Sequence, residues 1–179
     1  TYSPPPGSPY WSSGFLPSIY QGTVVRNQAP RILNLDPPRH LAGLPQNQNL
    51  ELLQKLNEQH LQEHPGELEL AARMQSYELA ARMQSTAKDV LDIRQETAST
   101  LSMYGINEKG VDQNFAESCL IARRLVEHGV RFVQLWYYGW DMHARINKEL
   151  PKKCRGTDKP SAALVRDLKD RGMLDRTLV

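Results

Sequence analysis

The sequence predicts an α/β fold: a mostly parallel sheet flanked by helices, with a helical segment at about residues 47–104 covering it. Three observations carry that reading. "VDQNFAESCLIARRLVEHG" (111–129) has apolar residues at helical spacing and stops on a glycine. "VRFVQLWYY" (130–138) follows at once, rich in β-branched and aromatic residues. "DKPSAALVRDLKDRG" is helical again and runs into "RTLV", which reads as the start of a further strand. Helix, strand, helix, strand with short connections is the pattern of a parallel sheet.

In chain order, residues 1–46 are loop-rich and hold nine of the twelve prolines. From Asn49 the pattern changes. "LELLQKLNEQHLQEH" spaces Leu50, Leu53 and Leu56 as one helical stripe, and Pro65-Gly66 ends it. A second helix, "ELELAARMQSYELAARMQS", contains the octamer ELAARMQS at 69–76 and again at 78–85. Nine residues at about 100° each leave the two copies on opposite sides of one helix, so the repeat is a local duplication and not a solenoid unit. "TAKDVLDI" and "RQETASTLSMYG" are short helical pieces closed by Gly105.

The helix at 111–129 places Phe115, Cys119, Ala122, Leu125 and Val126 on its apolar face, making Cys119 a buried thiol. Arg123 and Arg124 are expected on its outer face. The strand at 130–138 is expected to be buried, its aromatics forming core or cleft wall. Asp158 is the expected N-cap of the last helix, with Pro160 in its first turn and Gly172 at its end. The expected organisation is one domain: loop-rich 1–46, helical 47–104 and α/β 111–179. The Pro-rich start and the strand beginning at the end also predict a chain truncated at both ends.

Composition narrows the function. Twenty-two basic and twenty acidic residues give a net charge of +2, interspersed without a basic stripe, which argues against nucleic acid. The longest apolar runs fall far short of a membrane span. Two cysteines define no redox compartment. No G-x-S-x-G elbow and no phosphate-cradling glycine loop occurs.

The best site candidate is Asp141-x-His143, just past the predicted strand. In open parallel sheets, ligands bind outside the carboxyl ends of the strands. On extended backbone, residues two apart point to one side, so both side chains can reach one ion. Carboxylate with imidazole suits zinc, manganese or iron better than calcium or magnesium. Two ligands fall short of the three that a catalytic zinc site uses, and the bland reading is a pair of surface polar residues. His60-x-x-Glu63-His64 matches the H-x-x-E-H pattern of inverted zinc peptidases, but its helix stops at once and its surroundings read as a solvated face.

Several blocks together resemble a known family. "WSSGFLPSIYQGT" (11–23), "SYELAARMQ" (76–84), "CLIARRLVEHGVRFVQL" (119–135), "GWDMH" (139–143) and "TDKPSAALVRDLKDRGMLDRTLV" (157–179) look like the domain-of-unknown-function family 1501. These are exported bacterial proteins, often described as sulfatase-like. The resemblance implies an alkaline-phosphatase-like α/β fold and export to the periplasm or beyond. It implies that Asp141 and His143, in the W-D-x-H block, are metal ligands for a divalent ion such as zinc. It also implies that the remaining ligands and any nucleophile lie in family blocks outside these residues, so that the chain alone is not a competent enzyme.

Two functional expectations follow. In the first, the protein is a metal-dependent hydrolase of sulfate or phosphate esters, small-molecule or polysaccharide, with Trp11, Tyr20 and Trp140 lining the substrate cleft. In the second, the same scaffold is a non-catalytic exported binding or surface protein.

Overall fold

The structure, a computed structural model, describes residues 14–16, 20, 22–33, 46–64 and 87–179. The chain divides near residue 88 into two compact units. The octamer repeat and Trp11 lie outside the described residues.

In the first unit, a turn at residues 26–31 is closed by the Arg26 amide donating to the Arg31 carbonyl at 2.7 Å. Helix α1 (Gln46–Glu63) follows, where the leucine stripe predicts it. Its polar side is laced by one-turn hydrogen bonds, Gln54 to Glu58 at 2.9 Å and Gln59 to Glu63 at 3.2 Å. Leu52, Leu53 and Leu56 are exposed.

The second unit is built from α2 (Ala98–Met103), α3 (Gln113–Glu127) and α4 (Ile146–Asp170), with 3-10 turns at Ile93–Gln95 and Leu174–Arg176. Side-chain caps start the first two helices: Thr97 accepts from the Thr100 amide, and Asp112 from the Phe115 amide. All three helices stop on a glycine with positive φ: Gly105, Gly129 and Gly172. After α3, the Gly129 amide donates to the Val126 carbonyl and the Val130 amide to the Leu125 carbonyl, each at 3.0 Å. That double bond pattern needs a left-handed residue, which glycine adopts without a Cβ clash. These stops fall where the sequence places them.

The core lies between α3 and α4. Tyr104, Cys119, Leu120 and Ala163 are buried together, with Leu101, Met103, Ile106, Phe115, Leu135 and Leu164 packed around them. Burial pushes the Cys119 thiol up to about 12, whereas Cys154 is exposed. In the folded chain at pH 8, a disulfide thiol reagent should therefore titrate one cysteine rapidly, and both after unfolding. Rapid reaction of both in the folded chain would contradict this packing.

The expected parallel sheet is not there: among the described residues there is no β-strand. Residues 132–138 form neither helix nor strand, and the exposure of their side chains alternates. Val133, Leu135 and Tyr137 turn toward the helices, while Phe132, Trp136 and Tyr138 are exposed, Phe132 almost completely. β-Propensity measures fit to a half-buried pleated surface, and α3 and α4 supply such a surface without any neighbouring strand. The segment thus satisfies its period-two pattern by lying on helices. The expectation of a buried strand with interior aromatics is corrected accordingly. Thr177 is extended, and Leu178 and Val179 are exposed and not paired in a sheet.

Two further expectations change. Helix α4 begins at Ile146, not after Asp158, and contains Pro151 and Pro160. Proline at 160 has no N–H for the carbonyl of Gly156. That carbonyl instead accepts from the Asp112 amide at 3.0 Å, so the helix continues without an orphaned acceptor. Gly156 brings this carbonyl alongside the start of α3, where a Cβ would make ordinary contact with the Asp112 Cβ at 3.4 Å. Arg123 and Arg124, expected on the outer face of α3, are both buried. The carboxylates around them, described in the Discussion, make that burial tolerable.

No helix among the described residues is long and apolar enough to cross a membrane.

Candidate functional site

The loop that carries Asp141 and His143 is anchored from below by helix ends. Asp112, already the N-cap of α3, accepts a hydrogen bond from the Tyr137 hydroxyl at 3.2 Å. The Tyr137 ring packs against Phe115 with centroids 5.1 Å apart, and Lys153 of α4 places its ammonium 4.6 Å from the same ring. Burial, and then the Asp112 carboxylate, raise the Tyr137 phenol above its ordinary range, so it remains a hydrogen-bond donor. Tyr137 is the fixed foot of the loop.

Above it the chain turns at Gly139, where φ is +88°. Lys153 Nζ donates to the Tyr138 carbonyl at 3.0 Å and lies 2.8 Å from where a Cβ on Gly139 would sit. A side chain at 139 would therefore displace the ammonium that pins the turn. Trp140 then meets the Tyr137 ring edge-on at 5.8 Å, with about half its surface exposed. Arg145, in a left-handed conformation, closes the loop and starts α4.

Between these anchors Asp141 and His143 converge. His143 Nε2 lies 3.0 Å from Asp141 Oδ2, and the two side chains are 85% and 86% exposed. A carboxylate only accepts, so Nε2 bears the hydrogen in this pair. The same two atoms suit a shared ion: donors 2.0–2.2 Å from a tetrahedral zinc stand about 3.3 Å apart, a slight opening of the present distance. The residues therefore fit a divalent ion as two of its ligands. Among the described residues no group of three or more His, Cys, Asp or Glu side chains surrounds a common point, so a full ligand set is not assembled there.

The other candidates are placed as follows. Tyr20 belongs to the first unit and is exposed; Trp140 belongs to the second; Trp11 lies outside the described residues. His60, Glu63 and His64 sit on the last turn of α1 and its exit, exposed as the sequence predicts. The supporting roles of Lys153 and Gly156 were missed in the sequence. Asp112 carries a signal that could have been found, an acid one residue before an apolar helical stripe. Lys153 carries none, because its role depends on where an aromatic ring sixteen residues away is brought.

A family model described as "Protein of unknown function (DUF1501)" matches residues 1–179. The chain belongs to the DUF1501 family. No curated protein and no solved structure matches it. In this DUF1501 chain the W-D-x-H block is thus the 137–145 loop, held by Tyr137, Lys153 and the start of α4. The premise that placed it at a strand's carboxyl end is replaced by this helix-anchored loop.

Proposed function

We propose that this DUF1501 protein is an exported metal-dependent hydrolase of sulfate or phosphate esters, in which Asp141 and His143 supply two ligands to a divalent ion, zinc being the best match to the donors. One observation supports the reading: Asp141 Oδ2 and His143 Nε2 converge to 3.0 Å on a loop pinned at both ends. Such an ion polarises an ester oxygen and activates a nucleophile. The remaining ligands and the nucleophile come from outside the described residues. In this reading Tyr137 and Lys153 position the loop, and Trp11, Tyr20 and Trp140 are the cleft candidates. Asp141 and His143 hold the ion. The sulfatase-like kinship rests on the family blocks quoted above, and export rests on the same resemblance.

The exposure of the pair supports a second reading. At 85% and 86% exposed, Asp141 and His143 have no walls to exclude water from a reaction, as fits a non-catalytic exported binding or surface protein. Zinc content after exhaustive dialysis, compared between the full-length wild-type protein and its Asp141→Ala/His143→Ala variant, decides the first point. Hydrolysis of aryl sulfate and aryl phosphate esters decides the second. The hydrolase reading expects the variant to lose one bound zinc per chain and at least 100-fold in ester hydrolysis, in line with the effect of disturbing a metal's surroundings. Equal zinc and equal hydrolysis in both proteins would overturn it. Zinc loss without any hydrolysis by the wild type would select the binding protein.

A further inference from the structure

The end of α1 carries a second pair of metal donors, one that the reading above does not use. His60 and His64 are one turn apart, and their rings are stacked, parallel within 9° with centroids 4.4 Å apart, so one ring must turn about its side-chain torsions for both nitrogens to face one ion. Both lie on exposed surface. Spacing of four residues puts two imidazoles on one side of a helix, the arrangement by which helical histidine pairs hold zinc.

The hydrogen bonding sets the tautomer. His64 Nδ1 lies 3.3 Å from the His60 backbone carbonyl. A carbonyl only accepts, so Nδ1 of His64 carries the hydrogen and Nε2 carries the lone pair. Metal-bound histidines are commonly oriented in just this way, by donating the other ring N–H to a carbonyl. Glu63, the acid between them, is engaged sideways: its Oε1 accepts from Gln59 at 3.2 Å. The two imidazoles are the donors assigned here, and the Glu63→Gln variant tests whether the carboxylate adds a third.

The position favours a cation as well. His60 lies in the last turn of an 18-residue helix, where the unpaired carbonyls concentrate negative potential. Glu51, Glu58 and Glu63 against the single Lys55 make the side chains of α1 net negative too. We propose that His60 and His64 form a surface bis-imidazole site for a borderline transition-metal ion such as nickel or zinc, separate from Asp141 and His143. Two nitrogen donors select these ions over calcium and magnesium, which require oxygen shells. Among the described residues no third His, Cys, Asp or Glu joins them, and the proposal is one of metal binding alone.

The test is isothermal titration with nickel chloride, and separately with zinc chloride, into the whole chain at pH 7.5. The Asp141→Ala/His143→Ala variant is the host, so failure of the hydrolase reading and failure of this one are distinguishable. One nickel ion per chain is expected. His60→Ala and His64→Ala should each weaken it at least tenfold, while Glu63→Gln leaves it within twofold. Circular dichroism of each variant checks that α1 persists. Absence of nickel binding by the host, or binding that survives both histidine substitutions, would overturn the proposal. Loss with Glu63→Gln equal to that with His64→Ala would overturn the donor assignment.

Discussion

Arg123→Met is expected to destabilise the unit formed by residues 89–179 by about 3–5 kcal/mol, the usual cost of removing one partner from a buried ionic cluster. Arg123 is 1% exposed and meets three carboxylates. Its Nη1 bonds Glu127 Oε2 at 2.5 Å, Nη2 lies 2.7 Å from Glu96 Oε1, and Nε lies 2.9 Å from Asp167 Oδ2. Nη1 is well aligned for its hydrogen bond, while Nε and Nη2 meet their carboxylates at poorer angles. Arg124 also pairs with Glu96 and donates to the Val90 and Asp89 carbonyls at 2.7 Å, tying the cluster to the chain before the first 3-10 turn. Arg171 adds 2.7 Å to Asp167 and 2.9 Å to Glu127, and the Tyr104 hydroxyl donates to Asp167 at 3.0 Å.

Three arginines thus face three carboxylates with no net charge, and they join α3, α4 and the 93–96 turn. With Arg123 gone, Glu96 and Asp167 lose their central cation while still largely buried. The measurement is urea unfolding followed by circular dichroism, where the midpoint should fall with an unchanged slope. A loss below about 1 kcal/mol would mean that the cluster does not hold these elements together.

The same cluster makes stability sensitive to acid. Burial pushes the Glu96 carboxyl up, but hydrogen bonds and charge from Arg124 and Arg123 outweigh it and hold the group below its ordinary 4.5. A depressed carboxyl contributes its stability fully above the unfolded value and loses it as pH falls through the folded one. Wild-type stability should therefore drop below about pH 4.5 more steeply than that of Arg123→Met, which has already lost the cations' support.

Leu120→Ala is the second large effect, expected at about 2–5 kcal/mol. Leu120 has no exposed surface and sits at the centre of the Tyr104, Cys119 and Ala163 cluster. Truncation removes apolar contact and leaves a void that α3 and α4 cannot close, because the Asp112–Gly156 backbone bond and the ionic cluster fix their separation. Leu120→Met conserves volume and should cost less than about 1.5 kcal/mol. Thermal unfolding of both variants measures the contrast. Equal losses would place Leu120 outside the tightly packed core.

Legibility differed by the range of the interaction concerned. The leucine stripe of α1, the apolar face of α3 and the glycine stops at 105, 129 and 172 were readable, since caps and periodicity act within a few residues. The period-two alternation of 132–138 was readable for the same reason. Its pairing was not, because a strand exists only when another segment presents its backbone alongside. Punctuation misled at α4: Pro151, Gly156 and Pro160 looked like a loop until Asp112 supplied the hydrogen bond that Pro160 could not.

The candidate site divides in the same way. Asp141 and His143 were identifiable from residue type and i, i+2 spacing on extended backbone, and the structure does bring them to 3.0 Å. Their support on Tyr137 and Lys153, and their exposure, were not, since both depend on contacts from α3 and α4. Arg123 and Arg124 show the limit most sharply. Charge assigned them to solvent, but Glu96, Glu127 and Asp167 made burial tolerable. By itself the sequence determined where helices stop and where side-chain exposure alternates, because those are local properties of the chain. Tertiary structure alone decided what pairs with what, because burial and charge compensation depend on residues such as Glu96 and Asp167, 27 and 44 positions from Arg123.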